Sequence, residues 1–286
     1  MENNDLSRRF GLLHIPKTAG TSLTNSICQA LDLLPIHISN LIDEKDKEAS
    51  KVKSSGLLTN NSMAFKFACN VPYLSGHITY QGLKSLRRDF VFSVMRDPRK
   101  RLISLYTYQW KRVLEGRNQP FAPGFGSDPD IGFYHYLQDC QAKPDNGMAR
   151  ILLRDLDGYR RILRYCQDFG RQHKKRIISE FMEKGLSRFD VIYSCSMQEV
   201  LDDLHVRGFI PKAKEIRTNE SHDSVSFGDL GNRKKFLRIL TEAVWQDMLV
   251  YEAAQKVFPE TMRIPLASDE EILQYLESRY GDLFKK

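Results

Sequence analysis

The sequence predicts an α/β protein whose central, mainly parallel sheet is flanked by helices. Short apolar runs at Phe10 to His14, Phe90 to Met95 and Val191 to Ser194 lack the polar alternation of a half-exposed strand and suit strands covered on both faces. Each run leads into a stretch of helical period, and strands separated by helices are the pattern of a parallel sheet. With 286 residues, the chain fits one elaborated α/β domain, so a single domain over 1–286 is expected, largely helical from about 195 to 286.

The first strand, Phe10 to His14, should end at Pro16. Thr21 or Ser22 then caps a helix to about Leu31, with Leu23, Ile27, Ala30 and Leu31 on one face. Residues 43–55, "DEKDKEASKVKSS", read as a solvated helix or loop. A second apolar segment, Ala64 to Ala68, precedes "VPYLSGHITYQGL", in which Pro72, Gly76 and Gly82 imply turns. Phe90 to Met95 is the clearest strand. Asp97 followed by Pro98 is a helix start, because Asp caps free amides and Pro tolerates the first helical position; this helix should reach about Val113. Residues 118–130 are rich in Pro, Gly and Asn and read as a loop. Helical patterns fill 132–139, 147–155 and 158–185, the last with a break near Gly170. Val191 to Ser194 feeds a helix from Met197, and 233–258 and 269–280 are helical in period.

Lys plus Arg exceed Asp plus Glu by 43 to 36, an excess that suits polyanionic ligands and a solvated surface equally. No apolar run is long enough to span a bilayer, and "MENNDLSRRF" lacks the apolar core of a secretory signal. The five cysteines are scattered without a C-x-x-C pair, which argues for reduced thiols in a cytoplasmic setting and against a disulfide or zinc framework.

Two segments carry chemistry. "HIPKTAGTS", His14 to Ser22, departs from the G-x-x-x-x-G-K-[ST] phosphate loop, because Lys17 precedes Gly20. A lysine and two hydroxyls at a helix N-terminus still favour an anion. An ordinary capped turn with a surface lysine explains the local pattern as well. "RDPRKRLISLY" places Arg96 at the carboxyl end of a buried strand, with Arg99, Arg101 and Ser104 in the helix that follows. Ligands of open α/β sheets sit beyond the carboxyl ends of the strands, and a guanidinium with a hydroxyl is a phosphate-binding pair. Two such strand ends point to a ligand with two separated anionic groups.

"HIPKTAGTSL" followed by "FVFSVMRDPRKRLISLY" resembles the sulfotransferases that use 3′-phosphoadenosine 5′-phosphosulfate (PAPS), especially the carbohydrate branch related to heparan sulfate 2-O-sulfotransferase. "FDVIYSCSMQEVLDDL" and "DMLVYEAA" are weaker similarities to its late strand and closing helix. The resemblance implies a P-loop-like sulfotransferase fold, PAPS as co-substrate, no metal, and a hydroxyl acceptor, on a carbohydrate or small molecule. It places Lys17 on the phosphosulfate, where it stabilises the bridging oxygen, and lines the loop with Thr18, Gly20, Thr21, Ser22 and Leu23. Arg96 and Ser104, helped by Arg101, would bind the 3′-phosphate. Eukaryotic members of the branch are membrane-anchored; with no anchor visible, this chain is expected to resemble soluble bacterial members and to be cytoplasmic. Neither nucleic acid nor a transmembrane segment is expected, and the oligomeric state is open.

An attacking hydroxyl must lose a proton, and histidine is the usual base. Of the seven histidines, His14 reads as a packed residue that orients the loop, and His37, His135, His173, His205 and His222 lie away from other site signals. His77 follows Gly76, which permits close approach, and matches a Gly-His of the carbohydrate sulfotransferases whose histidine is the catalytic base. A loop histidine without a role is the competing reading. "DNGMARILL" resembles a family element built around Asn and Arg, which would bring Asn146 and Arg150 to the acceptor or cofactor cleft; an amphipathic core helix is the alternative. Arg217 to Ser221 falls where relatives carry a loop over the nucleotide, and the aromatics between Tyr106 and Tyr136 fit either a sugar platform or helix packing.

The expected activity is in-line transfer of a sulfuryl group from PAPS to a carbohydrate hydroxyl, with His77 as base and Lys17 as leaving-group stabiliser. A P-loop nucleotide kinase would use the same sheet but need a magnesium-binding Asp, for which only Asp97 offers itself. A non-catalytic anion-binding or nucleic-acid-binding protein would use the positive charge without needing His77.

Overall fold

The computed structural model describes residues 8–35, 63–116, 136–137, 147–159, 161–162, 175–216 and 233–280. The expectations for 43–55, 118–130, Gly170, Asn146, Arg217 to Ser221, His37, His135, His173 and His222 lie outside these residues.

Four parallel strands, β1 (Phe10–Leu13), β2 (Tyr73–Gly76), β3 (Phe90–Val94) and β4 (Val191–Tyr193), form one sheet in the order β2-β1-β3-β4. All four are buried along their length, as their continuous apolar character requires. The register pairs Leu13 of β1 with Gly76 of β2 on one side and with Ser93 of β3 on the other. The fold is therefore the predicted α/β arrangement, with helices flanking a parallel sheet.

The described residues fall into two compact units. The first comprises residues 1–95, 147–219 and 252–264 and holds the sheet. Helix α1 (Gly20–Ala30) lays Leu23, Ile27 and Cys28 against a core of Phe10, Leu12, Phe92 and Tyr193. Residues 63–85 differ from expectation. Ala64 to Ala68 lies in helix α2 (Met63–Asn70). The turns expected at Gly76 and Gly82 are instead the end of β2 and the interior of helix α3 (Tyr80–Ser85), whose first turn Thr79 caps by accepting from the Gly82 amide at 3.0 Å. The buried Arg88 donates to the carbonyls of Ala68 and Val71, both at 2.6 Å, satisfying acceptors where α2 ends; burial pushes its guanidinium down to about 10.

The second unit comprises residues 96–146, 220–251 and 265–286. It contains helix α4 (Pro98–Leu114), helix α8 (Arg233–Ala243) and helix α10 (Asp269–Tyr280). The first unit also holds α5 (Gly147–Leu153), α6 (Lys175–Leu186) and α7 (Met197–Val206), the last opened by a Ser196–Glu199 capping box. The continuous helix read over 233–258 is interrupted at Val244, so that α9 (Trp245–Val257) is a separate element. Leu102, Ile103, Tyr106, Tyr136, Phe236, Leu240, Ile272 and Leu276 form the core of the second unit. Tyr106 and Tyr136 pack there with ring centroids 5.2 Å apart, whereas Tyr108 is exposed; Phe121, Phe125, Phe133 and Tyr134 lie outside the described residues.

Candidate active site

The first constellation grows from the end of β1. Past Leu13 the chain turns through His14 to Ala19, and Thr18 Oγ1 closes the turn by donating to the Ile15 carbonyl at 2.8 Å. Lys17 and Ala19 both have left-handed backbones, with φ of 69° and 65°, a conformation that side chains with a Cβ adopt only at a cost. The expected cap at Thr21 or Ser22 is replaced: Ala19 is the cap residue of α1 and contributes no side-chain hydrogen bond, while Thr21 and Ser22 lie within the first turn. This N-terminus carries neither a side-chain cap from Ala19 nor an acidic residue in its first turn, leaving its dipole and amides suited to an anion. Leu23 is buried in the core between sheet and helix, so only its backbone can serve the loop.

Parallel pairing of β1 with β2 brings the base candidate to this turn. The His14 amide donates to the Gly76 carbonyl at 2.9 Å. Next to it, His77 Nδ1 lies 2.8 Å from the His14 carbonyl oxygen, and the two imidazoles stack with centroids 4.8 Å apart and planes 28° apart. A carbonyl only accepts, so Nδ1 carries the proton and the basic lone pair is on Nε2. Burial lowers the His77 pKa below its ordinary value; the His14 carbonyl opposes this and the nearby Arg154 charge adds to it. Arg154 Nη2 also donates to the His77 carbonyl at 3.2 Å. Gly20 is required here: a Cβ at this position would lie 2.9 Å from Cγ of the His14 ring. The tight space at Gly20 and the uncapped helix end both fit a loop that receives a phosphate against its backbone.

Arg150 is exposed in the last turn of α5, whereas Met148 and Ala149 are buried. Gly147, Ile151, Leu152 and Leu153 are buried as well, so this is a core helix buried on almost every side with Arg150 as its one exposed position.

The second constellation lies in the second unit. Asp97 accepts from the amides of Arg99 at 2.8 Å and Lys100 at 3.2 Å, the cap expected for a helix starting at Pro98. Its other oxygen accepts from the Ala267 amide at 2.9 Å. Both oxygens of the kinase-type candidate are thus engaged by backbone amides. Arg96 is partly exposed, Ser104 is largely buried, and Arg101 is buried with Asp247 at 3.3 Å. No cluster of three or more His, Cys, Asp or Glu among the described residues could hold a metal ion, and no described helix is long and apolar enough to cross a membrane.

A model of the sulfotransferase family matches residues 7–197, about two thirds of the chain. The chain belongs to the sulfotransferase family. No curated protein and no solved structure matches it. The family match takes in the turn after β1, His77, the Arg96 to Ser104 segment and Arg150, and ends as α7 begins. Helices α8 to α10 lie beyond it.

Two contacts of the candidate site could not be read from the sequence. His14 was legible as a packed residue, but its stacking on His77 depends on the Leu13–Gly76 register. Tyr275, which contacts Arg96, is separated from it by 179 residues.

Proposed function

We propose that the chain transfers a sulfuryl group from 3′-phosphoadenosine 5′-phosphosulfate to a hydroxyl, with a carbohydrate as the acceptor class. The contact that supports this best is the seating of His77 on the carbonyl of His14, within the lysine-bearing turn itself. His77 Nε2 takes the proton of the attacking hydroxyl as that oxygen bonds to sulfur. The S–O bond to the leaving phosphate breaks in line, and Lys17 neutralises charge on the departing oxygen. The amides and hydroxyls of Gly20, Thr21 and Ser22 hold the 5′-phosphate, and Arg96 and Ser104 the 3′-phosphate. Arg101 assists indirectly, because its buried pair with Asp247 fixes the helix that carries Ser104. By analogy with phosphoryl transfer, positioning and electrostatics suffice, without a metal.

Titration of the purified protein with adenosine 3′,5′-bisphosphate and with ATP plus magnesium tests the donor, followed by labelled-sulfate transfer to a panel of saccharide and small-molecule hydroxyls. Tighter binding of ATP would overturn the reading in favour of a nucleotide kinase.

A further inference from the structure

The segment that follows α9 is fastened to the start of α4 at several points. Asp97 accepts from the Ala267 amide at 2.9 Å. Arg99, itself buried, donates to the Ala267 carbonyl and pairs with Asp269 at 2.9 Å. Six residues on, Tyr275 of α10 meets Arg96: the guanidinium Nη2 donates to the Tyr275 hydroxyl at 2.9 Å, and its central carbon lies 5.2 Å from the ring centroid. Lys100, one turn after Arg96, places its ammonium 5.7 Å from the same centroid.

The division of partners is informative. The carboxylate of this segment goes to Arg99, whereas Arg96 receives a neutral hydroxyl and an aromatic face. Among the described residues Arg96 makes no ion pair within 4.0 Å, so its contact with Tyr275 orients the guanidinium without cancelling its charge. Among the described residues the side chain uses one of its five N–H donors, and the planar fork can present others to a second acceptor. A ring face flanked by two cations also concentrates positive potential, which an approaching phosphate relieves.

We infer that Tyr275 is a positioning residue for recognition of the donor's 3′-phosphate, acting through Arg96, and that α10 is thereby part of the donor-binding machinery. This rests on the sulfotransferase reading of Arg96 given above. It assigns a role to a residue outside the stretch that matches the family.

The test compares adenosine 3′,5′-bisphosphate with adenosine 5′-monophosphate, which differ only in the 3′-phosphate, by calorimetry on the full chain. Tyr275→Phe keeps the ring and removes the hydroxyl. It should weaken bisphosphate binding roughly tenfold, the scale of one hydrogen bond to a charged group, and leave monophosphate binding unchanged. Tyr275→Leu, which also removes the ring, should lose more. In an Arg96→Ala background the selectivity should already be gone, and adding Tyr275→Phe should cost nothing further; a general loosening of α10 would instead weaken both ligands in both backgrounds. If the wild-type protein prefers the bisphosphate and Tyr275→Phe retains that preference, the role of Tyr275 is overturned while the donor reading stands. A wild-type protein with no preference overturns the donor reading and this inference with it.

Discussion

His77 Nδ1 lies 2.8 Å from the His14 carbonyl oxygen, and the two rings stack. The contact fixes the tautomer that presents Nε2 as a base, while burial, the leading cause, holds the imidazole below its usual pKa of 6.5. The neutral, basic form therefore persists below pH 6.5, and the acid limb of the kcat/KM profile should fall below that value. Arg154→Met removes a cause of the lowering and should move the limb to higher pH. His77→Ala should abolish transfer and leave bisphosphate binding intact; unchanged turnover would exclude His77 as the base.

The same shift has a consequence for stability. A histidine depressed in the folded state binds fewer protons there than in the unfolded chain over the interval between the two pKa values. Its neutral form leaves stability full above about pH 6.5, and stability declines as pH falls through the folded pKa. Chemical denaturation of His77→Gln against the wild type should show a shallower loss between pH 6.5 and 5; parallel curves would mean that His77 does not titrate as described.

Gly20→Ala tests the packing of the turn. The added methyl group would push into the His14 ring, and overpacking of this kind costs about 1–3 kcal/mol. Because the displaced ring is the one stacked on His77, transfer should fall further than thermal stability does. Retention of full activity would show that the stack is dispensable.

The strands β1, β3 and β4 were legible because aromatic and β-branched runs such as Phe90-Val91-Phe92 admit few other structures. Strand β2 was hidden by its own composition: Tyr73-Leu74-Ser75-Gly76 follows Pro72 and contains two turn-forming types, Ser75 and Gly76. Gly82 likewise misled, since Thr79 supplies a cap that offsets a glycine inside a short helix. The start of α1 was misplaced because Thr21 and Ser22 are good caps, whereas the residue used is an alanine held left-handed. Of the proposed site residues, Lys17 and Arg96 stood out by residue type and neighbours, and His77 by Gly76 and by the family resemblance. The contacts of His77 with His14 and of Arg96 with Tyr275 did not, because strand register and helix docking are non-local.

Arg101 and Asp247 form an ion pair in which both side chains are almost wholly inaccessible, 1% and 0% exposed. Asp247→Ala leaves a buried guanidinium without this carboxylate and should cost about 3–5 kcal/mol in denaturant unfolding. Asp247→Asn, which keeps an acceptor, should cost less. Equal unfolding midpoints for Asp247→Ala and the wild type would show that the pair does not hold α4 in place.

Lys17 and Ala19 offer a paired comparison of strain with chemistry. Both are left-handed at φ of 69° and 65°, and a left-handed residue bearing a Cβ costs roughly 1–2 kcal/mol. Glycine relieves that cost but adds unfolded-state entropy worth roughly 0.5–1 kcal/mol, so Ala19→Gly should leave stability unchanged or raise it by up to about 1.5 kcal/mol. The effects of the two glycine replacements on transfer should diverge. Ala19→Gly retains the amides of the loop and should keep near wild-type turnover. Lys17→Gly deletes the charge assigned to the leaving oxygen and should lower kcat by about a hundredfold, the scale of losing one preorganised group that acts on transition-state charge. Single-turnover transfer on the two variants, beside their unfolding curves, measures both quantities. If Lys17→Gly remains folded and turns over like Ala19→Gly, the lysine has no part in the chemistry.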